Sequence, residues 1–173
     1  SKEALNIEGF GKKIVEKFWQ LKILKMPQDI FKLNNKKIEK LDGWGKQSVT
    51  NLKYSISQKK NISLEKFIYS LGIRHIGNEG AKLISRNIKT AKSFLNLYQD
   101  KRLSELANLD GIGITQINSI KNYFSNSTNQ KITHELVKLL SIKDSKNIKS
   151  NGLLQNKVFM LTGKLSNMSR SEA

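Results

Sequence analysis

One short pattern occurs four times in this chain, and any fold must accommodate it. The four copies are "IEGFGKK" at 7–13, "LDGWGKQ" at 41–47, "IRHIGNE" at 73–79 and "LDGIGIT" at 109–115. The last glycine of each falls at 11, 45, 77 and 113, giving spacings of 34, 32 and 36. Spacing this regular marks a repeated supersecondary unit. In three copies the centre is glycine, an apolar residue and glycine; in the third, His75 stands where the first glycine is expected. The first glycine lets the backbone turn at positive φ, the apolar residue plugs the helix pair, and the second lets the main chain approach a partner closely.

Each copy is followed by a helical pattern. Val49, Leu52 and Ile56 recur at spacings of three and four, as do Ile117, Ile120 and Phe124. After Gly11 the apolar set is Ile14, Val15, Phe18 and Trp19, and after Gly77 it is Ala81, Ile84 and Ile88. Both tryptophans, Trp19 and Trp44, are expected in the core. Short helices are also expected ahead of the turns: one opened by Pro27, one capped by Asn35 and running through Ile38 and Leu41, and one capped by Ser63 and running through Phe67, Ile68 and Leu71. Strand signals are nearly absent before residue 150, so residues 1–141 are predicted to be all-α. Residues 142–156 are polar and aperiodic, which predicts a linker. "KVFMLTG" at 157–163 carries four consecutive apolar residues ended by Thr162 and Gly163, the pattern of a strand buried on both faces. One strand cannot make a sheet, so residues 157–173 are expected to open a domain that this sequence does not complete.

The chemistry of the repeat follows from its turn. A helix that starts directly behind a glycine presents unsatisfied N–H groups and the positive end of its dipole, which suits a phosphate. No base edge is read by such a site, so it holds a duplex without sequence preference. A single Gly-x-Gly is weak evidence, since it also makes ordinary tight turns. Four copies in a chain of formal charge +17 point to a polyanion. The charge divides as +8 over residues 1–60, +4 over 61–125 and +5 over 126–173. Lys12, Lys13 and Lys46 stand directly behind the first two turns, Arg74 and His75 lie in the third, and Thr115 and Gln116 follow the fourth.

Several chemistries are excluded or disfavoured. There is no cysteine, so disulfides and thiolate metal sites are ruled out, and His75 and His134 are far apart. No catalytic, cofactor or metal residue is expected within the chain. No apolar run approaches the roughly 20 residues of a membrane span, and the first residues lack the apolar core of a signal peptide. No membrane partner is expected, and the predicted location is the cytoplasm. Lys40-Leu41-Asp42-Gly43 fits K-x-D-G, a motif for a nucleotide-carrying lysine, yet its glycine is the first of the second turn and no nucleotide-binding strands surround it. Thr162-Gly163-Lys164 lacks the upstream glycine of a phosphate loop, because Val158 stands there.

The repeat is the helix-hairpin-helix pattern. In addition, "ALNIEGFG", "DIFKL", "LEKFIYSLGIRHIG", "LDGIG" and "VFMLTGKLSNMSRSEA" occur in an order that resembles the C-terminal half of the bacterial NAD-dependent DNA ligases. That resemblance implies a tandem array of four helix-hairpin-helix motifs, a linker and the first strand of a truncated α/β BRCT domain. It implies that the array grips duplex DNA, nicked in the enzyme's substrate, through backbone phosphates, with the rest of the ligase in cis, during replication and repair on the nucleoid. Carried over by position, the contacts are Gly9, Phe10, Gly11, Gly43, Trp44, Gly45, His75, Ile76, Gly77, Gly111, Ile112 and Gly113, with the residue opening each second helix; the placement of charged and polar residues beside the turns adds Lys12, Lys13, Lys46, Arg74 and Thr115. NAD, magnesium and zinc are implied only for the parent enzyme, upstream of these residues, so the chain alone is expected to be inactive. Two other readings remain open at the sequence level: the DNA-binding tail of a helix-hairpin-helix repair nuclease, and a helical scaffold that docks a protein.

Overall fold

The computed structural model describes residues 4–99 and 102–145. In chain order the elements are α1 (Lys12–Gln20), a 3-10 helix (Pro27–Lys32), α2 (Asn35–Ile38), α3 (Lys46–Gln58), β1 (Asn61–Ser63), α4 (Leu64–Ser70), α5 (Asn78–Ile88), α6 (Ala91–Asn96), α7 (Arg102–Glu105), α8 (Ile114–Ser125), α9 (Ser127–Leu139) and β2 (Ser141–Lys143). Short 3-10 turns at Leu97–Gln99 and Leu106–Asn108 flank α7. The predicted helices behind the four turns are α1, α3, α5 and α8. The expected strand at 157–163, the BRCT opening at 157–173 and linker residues 146–156 all lie outside the described residues.

Two apolar clusters divide the turns into pairs. The smaller is built on Phe18, Leu24, Ile38, Val49, Leu52 and Ile56, and Phe10 and Trp44 from the first two turns pack against it. The larger runs from Ile62 to Leu140 and takes in Ile76 and Ile112 from the last two. Phe67, Phe94 and Phe124 form its edge-to-face spine, with Tyr98 stacked on Phe124 at 5.1 Å. Phe31 packs against both clusters. Beside it, Lys32 Nζ donates to Glu135 Oε2 on α9 at 2.9 Å, and Lys138 Nζ reaches Glu135 Oε1 at 3.1 Å. The hydrogen bond from Lys32, then that from Lys138, holds the Glu135 carboxyl below its ordinary value of 4.5. Its contribution to stability is therefore full above that value and is lost as the pH falls through the lower, folded-state one.

Several local expectations need correction. The chain is not purely α-helical: β1 and β2 form a parallel pair with Asn61 opposite Ser141, Ile62 opposite Ile142 and Ser63 opposite Lys143. Three-residue strands are too short to show alternation, which is why the sequence pattern hid them. The pairing also carries the folded unit past the expected boundary at 141, since Ile142 packs on the larger cluster. Pro27 does open a helical segment, but of 3-10 type. Asn34, not Asn35, caps α2, its side chain accepting from the Lys37 amide, and that helix ends at Ile38 rather than reaching Leu41. Ser63 precedes α4 without a side-chain cap bond.

Trp19 is 62% exposed rather than in the core. Among α1 residues only Phe18 is buried, so the two-turn helix cannot turn Trp19 inward as well. Phe18 has no exposed surface, lies 5.9 Å from the Phe10 ring edge-to-face, and is 5.4 Å from the Trp44 ring. It is the common support of the first two turns. Phe18→Ala is expected to cost about 3–5 kcal/mol in urea unfolding monitored by circular dichroism.

Candidate nucleic-acid interface

All four turns share one backbone geometry. The amide of the plug residue donates to the carbonyl three positions earlier: Phe10 to Ile7 (3.2 Å), Trp44 to Leu41 (3.0 Å), Ile76 to Ile73 (3.1 Å) and Ile112 to Leu109 (3.0 Å). The residue before each plug has positive φ: +73° at Gly9, +79° at Gly43, +61° at His75 and +85° at Gly111. A bonded four-residue turn with positive φ at its third position is the type II signature, and glycine is its usual occupant. His75 keeps the same turn, as histidine tolerates that region better than most side chains.

Behind each plug the chain becomes extended at Gly11, Gly45, Gly77 and Gly113 and then enters α1, α3, α5 or α8. None of these four helix starts has a side-chain cap bond. The first-turn amides therefore point outward without a partner from the cap residue. The fourth start differs in one respect: Gln116 Oε1 accepts from the Gly113 amide at 3.0 Å, so one of its donors is already engaged.

The second glycines are the most informative residues here. Their φ values, −78°, −117°, −79° and −101°, are open to any residue. A Cβ added at Gly11, Gly45 or Gly77 would meet nothing within 4 Å, and one at Gly113 would only touch the Gln116 side chain at 3.4 Å. Neither backbone strain nor internal packing requires glycine at these places. A Cβ there would project into the open space in front of the helix start.

Of the residues expected at the interface, all the glycines, Lys12, Lys13, Lys46, Arg74, His75 and Thr115 are exposed. The plugs behave as plugs: Ile76 and Ile112 are buried, while Phe10 and Trp44 are half-buried. They shape the turns. Lys12 makes an exposed 3.8 Å pair with Glu16, a weak interaction that a stronger anion can displace.

Sequence reasoning missed how the turns are coupled. Lys17 Nζ donates to the Asp42 carbonyl at 3.0 Å, tying α1 to the second turn. Nothing in the spacing of Lys17 signals this, because the partner is a backbone atom 25 residues away. A cleft of about 610 Å³ lies between these two turns, lined by Gly9, Gly43, Trp44, Ser48, Asn51 and Tyr54, among others. Tyr54 is 65% exposed there. The last two turns are coupled by packing instead, with Leu83 of α5 directly behind Gly111.

Lys40 and Asp42 are exposed, and Asp42 serves the fold through its carbonyl. Among the described residues no three of His, Cys, Asp and Glu lie close enough to hold a metal ion. No helix there is long and apolar enough to cross a membrane. These residues offer no set of side chains that fits zinc or another resident metal.

Known proteins give the geometry its context. Residues 66–133, which contain the third and fourth turns, match the family model described as a helix-hairpin-helix motif. Along its whole length the chain resembles DNA ligases. A protein of that name from Pelagibacter ubique is 65% identical over 173 residues, covering all of this chain and 26% of that protein. DNA ligases from Rickettsia massiliae and Rickettsia bellii are 39% and 38% identical over 185 and 190 residues, again covering all of this chain and 27% of each relative. The chain thus spans about a quarter of the length of these ligases.

The second glycines supply the test. Serine is a good N-cap where alanine is poor, so Gly45→Ser is expected to leave thermal stability unchanged or slightly raised. If the helix start meets a phosphate, the same variant weakens duplex binding several-fold in fluorescence anisotropy. Unchanged binding would contradict a phosphate contact at this helix start.

Proposed function

We propose that this chain is the segment of an NAD-dependent DNA ligase that holds duplex DNA, with its four turns acting as a helix-hairpin-helix array on backbone phosphates. The observation that carries this is the set of second glycines, which leave four helix starts open where neither φ nor packing asks for glycine. Each start offers outward amides to one phosphate, and Lys12, Lys13, Lys46 and Arg74 place cations beside the first three. The plugs set the turn geometry without facing the nucleic acid.

Contacts of this kind fix position and orientation but read no base edge, so binding is independent of sequence. The turns come in two coupled pairs, and a backbone followed by both pairs is held at more than one point. A nick could then be kept aligned while other parts of the ligase do the chemistry. In this proposal NAD, magnesium and zinc act outside these residues, residues 157–173 open a BRCT domain, and the parent enzyme works in replication and repair in the bacterial cytoplasm. The ligase resemblance along the whole chain favours this over a nuclease tail, and the open helix starts favour it over a protein-docking scaffold.

Salt dependence is the direct check. If the turns neutralise about 4 to 8 phosphates, the logarithm of the association constant for a nicked duplex should fall against log salt with a slope of about −4 to −7. Lys12→Glu, Lys13→Glu and Lys46→Glu together should weaken binding and flatten that slope, with helicity unchanged. A slope near zero in the unaltered chain would contradict the proposal.

A further inference from the structure

A second basic feature lies away from the turns. A cleft of about 290 Å³ is bounded by residues that include Lys59, Lys66 and Lys143, together with Ser63 and Gln58. Among the described residues no aspartate or glutamate lines it. None of the three lysines has an ion-pair partner among the described residues. Ser63 Oγ, closed off from solvent in its wall, has no hydrogen-bond partner.

The β1–β2 pair is what assembles this group. Register sets Lys143 directly opposite Ser63, although the two are 80 positions apart in the chain. Neighbouring strands lie within about 5 Å of one another. Lys66 follows one turn into α4, and Lys59 closes the end of α3. A helix C-terminus explains a cation at Lys59. It does not explain Lys66 and Lys143, which come from other elements and repel Lys59 and each other.

Position along α3 separates this cleft from the second turn. Lys59 stands 13 residues beyond the start of α3, about 20 Å along the helix axis from the second turn. Lys59 does not reach a phosphate held at that turn. Three ammonium groups on one concavity, beside an unmatched hydroxyl and, among the described residues, with neither ion-pair partner nor carboxylate, make a site that calls for an anion.

We propose that the cleft formed by Lys59, Lys66, Lys143 and Ser63 binds a phosphate group independently of the four turns. Its chemistry fits the phosphodiester of a nucleic-acid strand lying outside the part held by the turns, or a free phosphate.

The test uses the whole chain, with sodium phosphate titrated at pH 7 against a sodium chloride control of equal ionic strength, and the backbone amide resonances of residues 61–66 and 141–143 followed by NMR. Saturable shifts with phosphate and none with chloride are expected. Lys66→Gln with Lys143→Gln should lower the phosphate affinity at least tenfold, while Lys66→Arg with Lys143→Arg should retain it. All four changes are at exposed positions, so each variant keeps the fold, which circular dichroism checks. Repeating the titration with duplexes of 12 and 30 base pairs distinguishes the sources. A backbone phosphate makes the longer duplex alone shift these amides; a free phosphate leaves them unmoved by either duplex yet still responsive to inorganic phosphate. Shifts that match chloride, or saturation that survives in the glutamine variant, would overturn the proposal.

Discussion

A residue held at positive φ one place before an apolar plug is the constraint on which this structure depends. At that residue the backbone reverses, and the plug's amide closes the turn onto the carbonyl three positions back. The plug then enters the apolar layer between two helices, so the turn and the packing specify each other. Without the reversal, α1, α3, α5 and α8 could not start where they do. The left-handed region costs an ordinary L-residue about 1–2 kcal/mol, which is why three of the four positions are glycine. The chain accepts His75 at the third, where buried Ile73 and Ile76 flank the turn and hold it in place.

The same geometry links fold to chemistry. A helix that begins immediately after an extended glycine has no side chain to cap it, and its first amides remain available. Stability is obtained elsewhere, from Phe18 beneath the first pair of turns and from the phenylalanine spine beneath the second. Phe31 packs on both clusters, and Lys32 and Glu135 close the contact at its edge. That exposed ion pair adds little by itself. Its value is positional, because it lies beside Phe31, where the two apolar clusters meet.

Much of this was legible in the sequence, for reasons that differ by residue. The turns were visible because a positive-φ residue, glycine in three copies and His75 in the other, and an apolar plug are local requirements, repeated four times. The helices behind them were visible because Val49, Leu52 and Ile56, or Ile117, Ile120 and Phe124, keep the helical period, and each of these residues is buried. Trp19 misled because bulk and apolarity predict burial only where a face exists to receive them. β1 and β2 were hidden because their signal is pairing across 80 residues, not pattern within three. The Lys17 bond to the Asp42 carbonyl was hidden for a related reason, since any residue supplies a carbonyl. For the second glycines the sequence suggests close approach by a partner, and the structure adds that neither φ nor packing requires glycine there.

The central claim is that the open amides at the helix starts are the phosphate ligands. Amide hydrogen exchange tests it most directly, because amides without a partner exchange fast in the free protein. On adding a nicked duplex, the account predicts new protection together at residues 12–13, 46–47 and 78–79, and weaker protection at 114–115, where Gln116 already engages the Gly113 amide. Binding that protected none of these amides, or only residues far from the turns, would contradict it.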